Sequence, residues 1–330
     1  MKKGSTVLLV MSLLSSAFAA EKIVQMLPGE CWWGLCSNFG RQMPFTAKTD
    51  FKCDLRVSSY GHQSMSLLVS NKGRTLWCEE PVEATILNGR IKFVSDDSGI
   101  MFVTVGTTLA DAFRYAASHW FPSSGELPDL LYFTAPQLNT WIELTYNQNE
   151  KDILKYARTM KENGVPPGIF MIDDTWQIGY GVWDFDRRRF DDPKSMVAKL
   201  HEMGYKVLLW MCPYVSMDCP AYRLLEYGVS PDTCKKLERG GFVMEMKSRN
   251  AAVVDWWNGR SALLDFSHRN GSRWFEGELD RLVKTYGIDG FKFDGSGVDG
   301  YCGFRPSQKG LAPWRQNDMY VSLALKYKSS

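Results

Sequence analysis

Two short runs in this chain combine residue types that break bonds in polar substrates. Ile172-Asp173-Asp174-Thr175-Trp176 sets adjacent carboxylates after an apolar stretch, and Gly290-Phe291-Lys292-Phe293-Asp294 ends a second stretch on a carboxylate. Carboxylates serve as general acids, general bases or nucleophiles. A single strand-end aspartate more often caps a turn or pairs with an arginine. Two such ends converging on one cleft point instead to chemistry on a neutral, polyhydroxy substrate.

The elements that would position them change character near residue 137. Between about 21 and 109 the chain has short β-type runs at Asp54–Ser59, Ser66–Ser70, Val82–Leu87, Arg90–Val94 and Ile100–Val105. Turn signals such as Asn88-Gly89 and Asn71-Lys72-Gly73 separate them. Short strands at this spacing predict an antiparallel β-sandwich. Leu109–His119 reads as a helix, and Pro122, Gly125 and Pro128 mark a connector. After Pro136 strand and helix alternate. The expected strands are Thr140–Tyr146, Ile169–Asp174, Lys206–Met211 and Gly287–Asp294. The expected helices are Glu150–Asn163, Lys194–Met203, Ser272–Tyr286 and Met319–Lys326. Apolar strands alternating with helices imply βαβ units and a parallel sheet. Carboxylates at the C-terminal strand ends match the catalytic rim of a (β/α)8 barrel. The expected domains are therefore a leader over 1–20, a sandwich over 21–137 and barrel units over 138–330.

Composition narrows the class. The chain has 330 residues, 45% hydrophobic and 23% charged, with 12 Trp. That apolar content supports a packed core and excludes a wholly disordered chain. Tryptophans stack on flat sugar faces but are also ordinary core residues. The formal charge is +2, and Lys2 and Lys3 supply two of the positives, so the rest is near neutral. With no basic stripe, nucleic acid is not an expected partner. Lys2 and Lys3, the apolar run Val7 to Leu14, and the small residues Ala17, Ala19 and Ala20 read as an export signal. The apolar run is too short to span a bilayer of about 30 Å. A secreted or periplasmic protein without a membrane span follows as the expectation. An even count of 8 Cys permits disulfides in such a chain. The close pairs are Cys31/Cys36, Cys53/Cys78 and Cys212/Cys219, and Cys234 and Cys302 complete the set. No CxxC pair occurs and there are four His, so no metal or cofactor is expected.

Beyond these local readings, the sequence resembles glycoside hydrolase family 31, in the branch of bacterial and myogenesis-regulating glycosidases. The motifs, in order, begin with Trp32-Trp33-Gly34, Met43-Pro44-Phe45 and Asn139-Thr140-Trp141-Ile142-Glu143. Pro166-Pro167-Gly168 through Gln177, Phe190-Asp191-Asp192-Pro193 and Leu209-Trp210-Met211-Cys212-Pro213 follow. Trp256-Trp257-Asn258-Gly259 and Gly287–Asp294 are the last. The form Gly290-Phe291-Lys292-Phe293-Asp294 favours this family over a related α-galactosidase family with a similar barrel. The resemblance implies a β-sandwich ahead of a (β/α)8 barrel and a retaining α-glycosidase acting on a glycoside or oligosaccharide.

It also implies roles. Asp294 matches the nucleophile, which forms a covalent glycosyl-enzyme through an oxocarbenium-like transition state. Lys292 lies two residues earlier, on the same face of a strand. Its charge would hold Asp294 ionised and could bond a sugar hydroxyl. Asp173 and Asp174 match positions that grip remote hydroxyls of the sugar. Trp210 matches an aromatic lining, and Trp141, Trp176 and Trp257 are possible walls or core. The Asp-Asp doublet resembles α-galactosidase-type sites and tilts the expected substrate toward α-galactosides over α-glucosides or α-xylosides. One departure is local. The family usually places an acidic residue three after the nucleophile, where this chain has Gly297, with Asp299 two further on.

The catalytic pair is expected to be incomplete. In the family the acid/base ends the sixth strand and the nucleophile the fourth. Two further βα units need roughly 60 residues, and 36 residues follow Asp294. Neither Asp299, Asp318, Glu143 nor Asp265 matches the acid/base. The expectation is thus a truncated member: a sandwich plus a partial barrel of about four βα units, lacking the acid/base. Its barrel edges would need a completing chain or oligomer. The alternative is a sugar-binding module that kept the pocket without catalysis.

Overall fold

A computed structural model describes residues 19–61, 63–96, 99–125, 127, 129–228, 239–245, 250–295, 297–302, 304–305 and 313–326. The expected leader lies outside these residues except at its end, where Ala20 already opens the first strand. Contacts divide the chain into two units. One runs to Arg56 and resumes over Tyr60–Pro122; the other holds Val57–Ser59 and continues from Ser123.

Among the described residues the first unit has eight strands: β1 Ala20–Gln25, β2 Trp32–Cys36, β3 Phe51–Asp54, β4 Ser64–Ser70, β5 Arg74–Trp77, β6 Glu83–Leu87, β7 Arg90–Ser95 and β8 Met101–Thr104. They form two antiparallel sheets, ordered β1-β7-β6-β3 and β2-β4-β5-β8. Val24, Ala84, Ile86, Ile91 and Phe93 of one sheet share a core with Trp32, Leu35, Leu68 and Leu76 of the other. Burying the inner faces of two sheets against each other is what makes a sandwich. The Asn88-Gly89 signal is met: both residues take positive φ, 51° and 70°, the geometry of a two-residue hairpin. Helix α1, Leu109–His119, is closed at its start by a Thr108–Asp111 capping box. The run expected at Asp54–Ser59 is not a strand. Its strand is β3, three residues earlier, and a turn follows.

The second unit opens with α2 Leu131–Thr134, β9 Gln137–Asn139 and α3 Thr140–Leu144. The order then continues α4 Glu150–Glu162, β10 Ile169–Ile172, β11 Gln177–Gly179, β12 Val182–Phe185, α5 Pro193–Glu202 and β13 Lys206–Met211. Next come β14 Tyr214–Val215, α6 Pro220–Tyr227, β15 Met244–Glu245, β16 Val253–Trp256 and β17 Gly259–Leu263. The last elements are α7 Arg269–Tyr286, β18 Gly290–Phe293, β19 Phe304–Arg305 and α8 Pro313–Lys326. Strands β9, β10, β13 and β18 form one parallel sheet, ordered β18-β13-β10-β9. The middle strand β13 is buried from Val207 to Met211, as a parallel strand covered on both faces must be. Asn149 caps α4 and Asp192 caps α5, with Pro193 in its first turn. Gly287 ends α7 in the left-handed conformation.

Thr140–Tyr146, expected as a strand, is corrected. The strand is the preceding β9, and Asn139 then starts α3 by accepting a hydrogen bond from the Trp141 amide. The β-branched Thr140 and Ile142 suggested strand, but the cap decides the local structure. Cys31, Cys53, Cys212 and Cys219 are free thiols, so none of the three expected pairs closes. Cys234 lies outside the described residues. No described helix is long and apolar enough to cross a membrane.

Candidate active site

Register explains how the distant motifs meet. Leu209 pairs with Ile172 on one side, and Trp210 pairs with Lys292 on the other. Asp173, one residue past β10, therefore stands level with Trp210 and Lys292. In a parallel sheet residues at one level point the same way. Lys292 reaches across β13 and donates to Asp173 Oδ2 at 2.9 Å. Its Nζ lies 3.4 Å from Asp294 Oδ2. One ammonium thus serves two carboxylates from different strands.

Asp294 follows β18 directly. Its backbone N–H donates to the Met211 carbonyl at 2.9 Å, extending the ladder by one residue. Its Oδ2 accepts from Trp210 Nε1 at 2.9 Å and its Oδ1 from the Gly295 amide at 2.8 Å. The Asp294 side chain is 38% exposed, whereas that of Asp173 is 3% exposed. The carboxylate expected to attack is held by donors yet partly exposed to solvent. Gly295 has φ 71°, and a Cβ there would come 2.8 Å from Tyr214 and 3.1 Å from Trp257. The turn after Asp294 therefore requires glycine.

Asp174 is placed differently. Four donors converge on it: the Thr175 amide at 2.6 Å, Gln177 Nε2 at 3.1 Å, Tyr180 OH at 3.1 and 3.2 Å, and Asn258 Nδ2 at 2.8 Å. Burial pushes its pKa up, and the hydrogen bonds from Gln177, Thr175 and Tyr180 oppose that shift. Burial, then the charge of Asp174, pushes the Tyr180 phenol up, so Tyr180 remains a donor. The backbone at this corner is strained. Thr175 has φ 71° and Thr145 φ 47°, conformations that cost a β-branched residue energy and that cluster at functional sites. Arg189 donates to the carbonyls of Tyr146 and Thr175 and so ties the two turns together. Thr140 Oγ1 accepts from the Asp173 amide at 3.0 Å and donates to Gln148 at 2.7 Å.

The tryptophans divide. Trp176 is fully buried and donates to the Trp210 carbonyl; it is core. Trp210 is also buried and meets the site through its indole N–H. Trp257 is 57% exposed and packs against Trp256 and Tyr214. Trp141 packs edge-on against Tyr146. Glu143 lies in the first turn of α3, not at a strand end. Asp265 is buried and bound by Ser267 and Gln316. Asp318 is an exposed residue of α8, and the side chain of Asp299 lies outside the described residues. Among the described residues no cluster of His, Cys, Asp or Glu has metal-binding geometry.

Tyr146, Tyr180 and Arg189 were not singled out from the sequence, and Asn258 was read only as part of the Trp256–Gly259 motif, without a role. Only the Asn258-Gly259 turn dipeptide carried a signal, for the β16–β17 hairpin.

Comparison with known proteins places this arrangement. The model of the glycosyl hydrolases family 31 TIM-barrel domain matches residues 133–322. The chain is 30% identical over 196 residues to a myogenesis-regulating glycosidase of Mus musculus, across 59% of this chain and 26% of that protein. It is 26% identical over 153 residues to the alpha-xylosidase XylQ of Lactiplantibacillus pentosus, across 46% of this chain and 18% of that one. The chain thus spans about a quarter or less of the length of these relatives. Among solved structures, a cycloalternan-forming enzyme of Listeria monocytogenes with a pentasaccharide substrate superposes with a TM-score of 0.69. That match has 16% identity and covers 93% of this chain and 32% of the other. A family 31 alpha-xylosidase from a soil metagenome, complexed with xylose, gives a TM-score of 0.66 at 16% identity, over 93% of this chain and 43% of that one. At that identity the likeness is one of fold.

Proposed function

The chain belongs to glycosyl hydrolase family 31, and from that premise we propose that its parallel sheet is about the first four βα units of a barrel whose mouth binds a terminal α-linked sugar. Asp294 is the nucleophile that attacks the anomeric carbon. The carrying observation is the Lys292 ammonium set between Asp173 Oδ2 and Asp294 Oδ2. It sets a positive charge beside the Asp294 carboxylate, whose side chain is 38% exposed and so open to an incoming sugar. Trp210 and the Gly295 amide orient the two oxygens, and Trp257 and Trp141 line the approach.

Retention requires a second carboxyl about 5–5.5 Å away to protonate the leaving oxygen. Asp173 is tied to Lys292 and Asp174 to four donors, so neither is assigned that role. We propose that this chain carries the nucleophile half of the double displacement. The leaving-group acid would then come from a further carboxyl, such as one on a completing chain docked at the β9 or β18 edge. The same feature favours a second reading, a sugar-binding module without turnover. Export by the segment 1–20 remains part of the proposal.

The test is hydrolysis of aryl α-galactoside, α-glucoside and α-xyloside, with leaving groups of graded acidity. The proposal expects measurable release only with the most acidic phenols, abolished in Asp294→Asn. Binding of the free sugars without any release would favour the binding module.

A further inference from the structure

The acidic doublet divides its labour, and the divider is a residue of the Trp256-Trp257-Asn258-Gly259 motif that has no role assigned from the sequence. Asn258 sits at the tip of the β16–β17 hairpin, between the paired Trp256 and Gly259. Its side-chain amide is used at both ends. Nδ2 donates to Asp174 Oδ2 at 2.8 Å and to Tyr180 OH at 2.6 Å, and Oδ1 accepts from Tyr146 OH at 3.1 Å. These partners come from the turn after β10, from the β11–β12 hairpin and from the segment after α3. Trp257 is the neighbour of Asn258 in the same turn, exposed and within 3.1 Å of where a Cβ on Gly295 would stand. Gly295 follows Asp294 directly.

We infer that Asn258 is a positioning residue whose amide latches the hairpin tip onto Asp174 and Tyr180, so that Trp257 is held beside the Asp294 turn. Asp174 is then the anchor of the latch, and hydroxyl recognition falls to Asp173 and Lys292. A carboxylate with four protein donors has few lone-pair sites left for a sugar, whereas a buried charge-assisted hydrogen bond is a strong tether. The latch itself stands on geometry; its consequence for sugar binding rests on the glycosidase reading above.

Two readouts separate the inference from that reading. The first is amide hydrogen exchange across residues 253–263 of the full chain without sugar. Asn258→Ala should speed exchange of the hairpin by about tenfold or more. The exchanged pair Asp174→Asn with Asn258→Asp, which keeps one charge and one amide, should restore protection. Unchanged exchange in Asn258→Ala, or no recovery in the exchanged pair, would overturn the latch whether or not a sugar binds. The second is calorimetric affinity for free galactose, glucose and xylose. Asn258→Ala should weaken binding about tenfold, and Trp257→Ala combined with Asn258→Ala should be no weaker than Trp257→Ala alone. Additive losses would overturn the claim that Asn258 acts through Trp257. If no sugar binds the parent chain while the exchange result holds, the glycosidase reading fails and the latch stands.

Discussion

Lys292 donates to Asp173 at 2.9 Å although the two belong to strands separated by β13. The contact spans the middle strand of the parallel sheet, because side chains at one level of neighbouring parallel strands point the same way. Breaking it leaves a buried carboxylate without its cation. Lys292→Met is expected to lower stability by about 1–3 kcal/mol in urea unfolding, and Asp173→Asn in the same chain should recover most of that loss. The ammonium is about a third exposed, which sets the expectation below that for a fully buried pair.

Two tryptophans with the same sequence-level promise should part company. Trp176→Ala removes a fully buried ring and its hydrogen bond to the Trp210 carbonyl, an expected loss of about 3–5 kcal/mol. Trp257→Ala removes a ring that is mostly in solvent. Its unfolding free energy should change by less than about 1 kcal/mol, while sugar affinity falls. Urea titrations of both variants, with calorimetry on the second, check this.

Strain in the turn after α3 is directly measurable. Thr145 adopts φ 47° and ψ −120°, a region glycine enters without cost. Its hydroxyl contacts only the carbonyl of its neighbour Leu144 among the hydrogen bonds described. Thr145→Gly is therefore expected to raise stability by about 1 kcal/mol, read as a shifted urea midpoint at constant slope.

The pH dependence has two limbs of opposite sign. Asp186 is held down to about 2, chiefly by the Arg188 guanidinium. A depressed acid stabilises the fold above its unfolded pKa, and that contribution is lost as pH falls from about 4 toward 2. Asp174 is pushed up, chiefly by burial. The folded state then binds its proton more tightly, so this group favours the fold at low pH and loses that contribution as pH rises through its folded value. Unfolding titrations from pH 2 to 7 should show a shallower acid loss in Asp186→Asn. Asp174→Asn should remove the opposing slope.

Much of the positioning frame was legible because it is local. Leu109–His119 and Lys206–Met211 appear at the bounds their patterns indicated, each an unbroken periodic or apolar run. The Thr140–Tyr146 expectation failed because β-branched residues masked a side-chain cap at Asn139. The two aspartate-bearing strand ends were legible for the same local reason, and family 31 resemblance supplied their partnership. What escaped was the set of residues that hold the corner together. Asn258 meets Asp174 across 84 positions, and Arg189 reaches back 43 to Tyr146. No periodicity encodes such pairings; only the register of the parallel sheet and the hairpin tip bring them together.

The central claim is that Asp294 is a nucleophile at the barrel mouth. It is tested most directly by incubating the full chain with 2-deoxy-2-fluoro glycosyl fluorides of galactose, glucose and xylose. Fluoride departs without a proton donor, so the test does not depend on a leaving-group acid, and the fluorine slows release of the covalent product. One glycosyl unit is expected in the intact mass spectrum, located on Asp294 and absent from Asp294→Asn. A label on another carboxylate, or an unlabelled Asp294 in a chain that binds the free sugar, would contradict it.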